Sequence, residues 1–162
     1  MSQITYIGLG SNLGESQQIM LEAYQKLATL GQVRASKLYH SPPMGPQDQP
    51  HYHNAVVELI TELEPLDLLD HLQRFEQEAG RVRLRHWGER TLDLDLLIYS
   101  DQHIQNDRLT VPHIGVLERD FVLLPLVDLN ADLVVNGHRI IDSDIVKKSE
   151  LTVLADQSWV TI

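Results

Sequence analysis

The chain has 162 residues, no cysteine and a formal net charge of −10, from 13 Lys and Arg against 23 Asp and Glu. This length fits one domain, residues 1–162, and the lack of cysteine excludes disulfides and thiolate metal sites. The acidic balance opposes nonspecific binding to nucleic acid or an anionic membrane, so we expect neither as a partner. Since neither a signal segment nor an apolar run of about 18 residues is present, we expect a cytoplasmic protein.

Four segments have the alternating apolar pattern of β-strands. They cover residues 3–9, 32–40, 53–62 and 92–99. The glycines at 8, 10 and 14 predict a tight turn after the first strand. Residues 41–50 predict a long irregular loop, because their prolines cannot donate to a sheet ladder.

Two segments between these strands have the spacing of helices. The first predicts a helix of about 15 residues that ends at Gly31. The second begins at Pro65 and ends at Gly80, and its buried stripe is Leu68, Leu72, Phe75 and Ala79. The resulting β-α-β-β-α-β order predicts an α+β, ferredoxin-like fold with an antiparallel sheet. A C-terminal extension adds a helical pattern at 120–128 and a short strand within 151–162.

Two carboxylates in the fourth strand form the main candidate site. Asp93 and Asp95 project from the same face, because side chains alternate along a strand, and their Cα atoms lie about 7 Å apart. Four of the nine arginines lie just upstream, within residues 81–90. Carboxylates that hold Mg²⁺ beside guanidinium groups that bind phosphate oxygens indicate polyphosphate chemistry.

Several other motifs are excluded by their spacing. The glycines near the N-terminus do not match a dinucleotide fingerprint, and the chain has no Walker Gly-Lys-Ser/Thr. His51 and His53 lack a third metal ligand at a diagnostic distance. For His40, His71, His103 and His138 we expect surface positions or satisfied hydrogen bonds.

Taken together, these segments resemble the signatures of the 6-hydroxymethyl-7,8-dihydropterin pyrophosphokinase family. The resemblance extends in order from residue 4 to about 129, and the Arg90–Asp95 stretch and the proline-rich loop are its most specific parts. The matching residues are Gly10-Ser11-Asn12-Leu13-Gly14, Pro42–Pro50, Tyr52, Asn54, Gly80-Arg81, Arg83, Trp87-Gly88, Arg90-Thr-Leu-Asp93-Leu-Asp95 and Leu109-Thr-Val-Pro-His113.

The resemblance implies transfer of the diphosphate of ATP to the hydroxymethyl group of the dihydropterin in tetrahydrofolate biosynthesis, with release of AMP. It implies two Mg²⁺ ions held by Asp93 and Asp95, and we expect a monomer. Catalytic roles fall on Arg81, Arg90, Asp93 and Asp95. Binding of ATP falls on Gln73, Glu76, Arg83, Trp87, Leu96, Arg108, Thr110, His113 and Arg119. Binding of the pterin falls on Ser41, Pro42, Pro43, Gly45, Tyr52, Asn54, Trp87 and Phe121.

The chain departs from the family pattern near the nucleotide residues. The segment between Arg83 and Trp87 is one residue short, which leaves the alignment of Arg85 and His86 open. Leu84 stands where a basic residue is frequent, Glu89 where proline is common, and Ile114 where tyrosine is frequent. Residues 42–51 and 81–91 are long, irregular and ligand-bearing, and we hypothesise that they close as lids over the substrates.

Two other functional classes remain as alternatives. A ferredoxin-like nucleic-acid module would display clustered aromatic residues and a basic sheet face, whereas this chain is acidic. A noncatalytic nucleotide or metal sensor of the same fold would bind ATP without turnover. Phe121 also has a simpler interpretation, as a core residue at the start of a helix.

Overall fold

A computed structural model of the chain describes residues 2–12, 16–41, 52–80 and 92–161. The strands are β1 (Gln3–Ser11), β2 (Gln32–Ala35), β3 (Leu38–Ser41), β4 (Tyr52–Thr61), β5 (Asp93–Tyr99), β6 (Ile104–Gln105), β7 (Thr110–Val111), β8 (Val134–Val135), β9 (His138–Arg139) and β10 (Thr152–Ala155). The helices are α1 (Ser16–Leu27), α2 (Pro65–Glu78), α3 (Asp120–Leu129) and α4 (Asp144–Lys148).

The main sheet is antiparallel and has the strand order β10-β3-β4-β1-β5, with β2 also paired to β4. Helices α1 and α2 follow β1 and β4 in the chain, which confirms the predicted ferredoxin-like order of elements. Strand β1 lies between β4 and β5, and β5 lies at one edge of the sheet. Strand β5, which carries Asp93 and Asp95, therefore lies directly beside β1.

Two sequence predictions about strand boundaries were wrong. Gly10 and Ser11 do not form a turn, because β1 continues through Ser11 and pairs with β4 and β5 there. The predicted second strand is divided into β2 and β3 at Ser36 and Lys37. At this break the Ser36 hydroxyl accepts a hydrogen bond from the Val56 amide at 2.9 Å, which satisfies the backbone where regular pairing stops.

Each face of the sheet packs against its own helices. On one face the first core contains Leu68, Leu72 and Phe75 of α2 together with α1 residues, so the predicted stripe is confirmed. Ala79 packs against this core only partly buried. On the opposite face a second core lies beneath α3, which confirms the helical pattern at 120–128.

Hydrogen bonds join the C-terminal region, including α3, to the main sheet. Tyr39 on β3 donates to Asp128 on α3 at 2.6 Å, and the Arg34 guanidinium donates to the Leu129 carbonyl at 2.6 Å. The short strand predicted within 151–162 is β10, and it pairs with β3; the buried Trp159 donates to the Ser36 carbonyl at 2.8 Å. Two short hairpins, β6-β7 and β8-β9, and helix α4 were not predicted. Within the described ranges, none of the helices has the length and apolar character of a membrane span.

Candidate active site

Three strands form the floor of the candidate site. Gly10 on β1 pairs with Asn54 on β4 and with Asp93 on β5, and Gly8 pairs with Val56 and with Asp95. Directly paired residues of antiparallel strands project to the same face. The structure therefore confirms that Asp93 and Asp95 share a face, and it places Asn54 across Gly10 from them.

Gly8 and Gly10 have no side chains and therefore leave a gap above β1. The strands on either side of β1 lie about 10 Å apart, from two strand spacings of about 4.8 Å. A Cβ added at Gly10 would lie 3.5 Å from Oδ1 of Asn54, and one added at Gly8 would lie 3.4 Å from the Leu97 side chain. Leu97 belongs to the second core, which lies beneath α3, so this core extends as far as Gly8. The gap lies beyond it, over Gly10. Glycines two residues apart inside a strand are a sequence signal for such a close approach, and the prediction of a turn missed it.

The expected pterin residues of β3 and β4 meet at this gap. Ser41 and Asn54 are each 6% exposed, and the Asn54 amide donates to the Ser41 hydroxyl at 2.6 Å. Tyr52 pairs with Ser41 and is partly exposed. The hydrogen bond orients the Asn54 amide so that its nitrogen points to Ser41 while its oxygen borders the gap above Gly10.

Glu76 occupies a different environment from the one that its helical position indicates. The resemblance implies that Glu76 binds ATP, but its side chain is only 6% exposed and its carboxylate accepts a hydrogen bond from the Leu94 amide at 2.8 Å. Leu94 lies between Asp93 and Asp95 on the edge strand β5. A buried carboxylate that accepts from an edge amide fixes the backbone that carries both aspartates. Binding of ATP by Glu76 stays a prediction.

Arg108 and Gln73, both expected at ATP, are in contact. The Arg108 guanidinium donates to Gln73 at 3.2 Å and to Asp70 at 2.6 Å. Sequence reasoning missed Asp70, which lies one helical turn before Gln73 on α2 and has no motif to mark it. The ion pair is exposed, so it positions Arg108 more than it stabilises the fold.

The segment with Thr110 and His113 lies along the outer edge of β5. The His113 amide donates to the Leu97 carbonyl at 2.8 Å, one residue beyond Leu96, and the His113 ring accepts from the Gly115 amide at 3.1 Å. Thr110 is exposed in β7, and the Leu96 side chain is in the first core.

Arg119 and Phe121 lie together at the start of α3. The Arg119 guanidinium carbon is 5.8 Å from the centre of the Phe121 ring, and Phe121 packs partly buried against the second core. This position agrees with the simpler interpretation of Phe121 as a core residue and leaves part of its ring exposed for a ligand. The remaining expected site residues lie outside the described part of the chain: Pro42, Pro43, Gly45, Arg81, Arg83, Trp87 and Arg90. The two hypothesised lids, 42–51 and 81–91, also lie outside it.

The donor chemistry of the aspartate pair fits Mg²⁺. Asp95 is exposed and Asp93 is partly exposed. Mg²⁺ favours carboxylate oxygens as ligands and usually binds water or phosphate oxygens as well. No cluster of three or more His, Cys, Asp or Glu residues able to hold a metal occurs among the described residues. A cation bound here would be held by Asp93 and Asp95 together with oxygens of water or substrate.

His53, next to Asn54, makes stability sensitive to acid. Burial, and then the nearby His40, lower the pKa of His53 from its usual value of 6.5. The folded state therefore favours the neutral ring, and the stability that it contributes is complete above pH 6.5 and is lost as the pH falls through the lowered pKa. We expect the free energy of unfolding of wild type to decrease more between pH 7 and pH 5 than that of His53→Gln, as urea unfolding at each pH will measure. Parallel curves would contradict this.

The chain is similar to known pyrophosphokinases. Residues 6–131 match the family model described as 7,8-dihydro-6-hydroxymethylpterin-pyrophosphokinase (HPPK). A 2-amino-4-hydroxy-6-hydroxymethyldihydropteridine pyrophosphokinase of Haemophilus influenzae is 52% identical over 146 residues, which are 88% of this chain and 91% of that protein. One of the same name from Pseudomonas aeruginosa is 50% identical over 136 residues, or 82% of this chain and 84% of that protein.

The solved structures support the fold. A Plasmodium falciparum HPPK-DHPS triple mutant crystallised with STZ-DHP matches with a TM-score of 0.68 at 14% identity. The match covers 87% of this chain and 42% of the larger protein, so the chain spans less than half of that bifunctional polypeptide.

Proposed function

The chain belongs to the 7,8-dihydro-6-hydroxymethylpterin-pyrophosphokinase (HPPK) family, and from this premise we propose which of its residues carry out the reaction. The family transfers the pyrophosphoryl group of ATP to hydroxymethyldihydropterin in folate biosynthesis, and the chain is accordingly a transferase. ATP is its co-substrate. Our proposal concerns the placement of the two substrates, the metal ions and the groups that contact them.

One observation supports the proposal most strongly: the aspartate pair separates two groups of expected binding residues. On the β4 side of Gly10 lie Ser41, Tyr52 and Asn54. On the outer side of β5 lie the residues expected at ATP, namely Gln73, Glu76, Arg108, Thr110 and His113. A pterin over Gly10 and a triphosphate along β5 would then meet at Asp93 and Asp95.

Asp93 and Asp95 would hold two Mg²⁺ ions through their carboxylates. When bound, Mg²⁺ neutralises charge on the phosphate oxygens and favours attack on the β-phosphorus. The protein contributes the placement: Glu76 fixes the backbone at Leu94, and the two carboxylates project from the part of β5 that pairs in register with Gly8 and Gly10. Such positioning and electrostatic stabilisation supply most of the catalysis in phosphoryl transfer, and we propose no separate general base.

Asn54 would orient the pterin. Its amide nitrogen is engaged by Ser41, so its oxygen accepts from the donor groups on the pterin edge. Ser41, Pro42, Pro43 and Gly45 would offer backbone groups to the remaining edge, and Tyr52 or Trp87 and Phe121 would cover the faces of the ring. The roles proposed for the proline-rich loop and for Trp87 rest on the family resemblance alone.

The arginines would bind the triphosphate. Arg108 lies beside Gln73 on α2, and Arg119 lies at the start of α3. Arg81 and Arg90 are proposed to strengthen their contacts as charge moves toward the bridging oxygen, and Arg83 is proposed to bind ground-state ATP. We also propose that the protein is a cytoplasmic monomer.

Replacing Arg108 tests the nucleotide side of the site. We expect Arg108→Ala to raise the KM for ATP about tenfold, because a hydrogen bond from a charged group contributes about 1.5–3 kcal/mol, part of which water replaces. The KM for the pterin should stay unchanged in steady-state assays. Arg139→Ala is the matched control, since Arg139 is exposed and pairs with Asp132 at 2.8 Å on a separate hairpin. Equal KM values for both variants would remove Arg108 from the site.

The products of the reaction test the function itself. The protein is incubated with ATP, Mg²⁺ and 6-hydroxymethyl-7,8-dihydropterin, and the nucleotides are separated by chromatography. We expect AMP only when the pterin is present. Formation of ADP would indicate a kinase that transfers a single phosphoryl group, and ATP binding without turnover would indicate a sensor.

A further inference from the structure

Two histidines face each other on the side of the sheet opposite the Asn54–Ser41 hydrogen bond. His40 on β3 pairs directly with His53 on β4, and adjacent residues of a strand project to opposite faces. The two ring centres are 6.2 Å apart and the ring planes are inclined by 81°, so the rings do not stack. Both side chains are partly exposed.

His53 carries a buried nitrogen without a partner. Its Nδ1 atom is buried and has no hydrogen-bond partner. An unsatisfied buried polar atom typically costs about 1–3 kcal/mol, so its retention needs an explanation. A ligand that accepts the lone pair of this nitrogen would compensate for the cost.

The chemistry of the pair matches that of a transition-metal site. Imidazole nitrogens bind transition metals in their neutral form and are the commonest metal ligands in proteins. Two imidazoles bound tetrahedrally at a Zn–N distance of about 2.1 Å have ring centres about 5.3 Å apart. The observed separation is larger by less than 1 Å, which small side-chain rotations can close.

We propose that His40 and His53 bind one divalent transition-metal cation of the Zn²⁺ class, with Nδ1 of His53 as a ligand and water completing the coordination. Imidazole nitrogens prefer Zn²⁺, Ni²⁺ or Cu²⁺, whereas Mg²⁺ prefers oxygen. The site is therefore distinct from Asp93 and Asp95. A cation here links β3 to β4 behind the Asn54–Ser41 hydrogen bond, and the inference does not depend on the proposed roles of the substrate-binding residues.

Zinc binding in the presence of excess Mg²⁺ tests the proposal. The wild-type protein competes with a chromophoric zinc chelator, and we expect one bound equivalent. His40→Gln and His53→Gln should each lose affinity more than about tenfold. Zn²⁺ should also raise the Tm of wild type and leave the Tm of both variants unchanged, because a ligand stabilises only the state that binds it.

Two controls separate this site from others on the chain. His138→Gln removes an exposed histidine on the β8-β9 hairpin and should retain full zinc binding. The double variant Asp93→Asn/Asp95→Asn should also retain it. If His53→Gln fails to fold, His40→Gln alone carries the test. Zinc binding by His40→Gln equal to that of wild type, or no binding by wild type, would overturn the proposal.

The ligand atoms are read directly from an electron paramagnetic resonance spectrum. With one equivalent of Cu²⁺ added to wild type, we expect hyperfine coupling to two imidazole nitrogens, and to at most one in either histidine variant. A spectrum that shows only oxygen ligands would exclude the His40–His53 pair.

Discussion

Asp95→Asn is expected to lower the rate of AMP formation by about 10²–10³-fold, as the loss of one precisely placed electrostatic contact does in other enzymes. Asparagine keeps the size of the side chain and removes the charge that Mg²⁺ requires. Asp95 is exposed, so the Tm should change little. Single-turnover measurements at saturating ATP and pterin separate this loss from weaker substrate binding.

Asp101→Asn provides the matched control for this experiment. Asp101 is exposed just beyond the end of β5 and lies outside the proposed site, so this variant should retain wild-type rates. Asp93→Asn should reduce the rate in the same way as Asp95→Asn. A rate within threefold of wild type for both site variants would exclude the aspartate pair as the catalytic metal ligands.

The second large effect is expected from Glu76→Ala. This change leaves the Leu94 amide buried without its acceptor, which should lower the free energy of unfolding by about 1–3 kcal/mol. The Tm should fall by about 2–4 °C for each kcal/mol. Because Leu94 separates Asp93 from Asp95, kcat should also fall at saturating ATP. Thermal unfolding and steady-state kinetics measure the two effects.

Two further variants distinguish positioning by Glu76 from direct contact with ATP. Glu76→Gln keeps an acceptor oxygen for Leu94 and should recover most of the Tm and part of kcat. Glu78→Ala removes an exposed acidic residue of the same helix and should leave kcat unchanged. A raised KM for ATP with unchanged Tm and kcat in Glu76→Ala would instead support a role in binding ATP alone.

Local patterns predicted the order of elements and the shared face of Asp93 and Asp95, because side-chain alternation and helical spacing are short-range properties. They did not predict that Asn54 lies across Gly10 from Asp93. This pairing depends on the register of three strands that are distant in sequence. The glycines were interpreted as a turn because glycine is common in turns, and only the pairing of β1 shows that they lie within a strand.

Glu76 shows a second reason why sequence reasoning fell short. Glu76 lies beside the apolar stripe of α2, and a glutamate side chain in such a position is usually exposed to water. Its partner is a backbone amide 18 residues later, on an edge strand whose outer hydrogen bonds have no sequence signature. Asp70 was missed for a similar reason, since its partner Arg108 lies 38 residues away.

The glycine gap has a consequence for inhibitors and for resistance to them. The gap exists because Gly8 and Gly10 have no side chains, so every substitution at these positions adds atoms and narrows it. A substitution of Gly8 or Gly10 that prevents an inhibitor from binding over this strand would also block a substrate that binds in the same space. Compounds whose contacts are confined to this strip of backbone should therefore select for resistance less readily than compounds that extend to side chains at the rim.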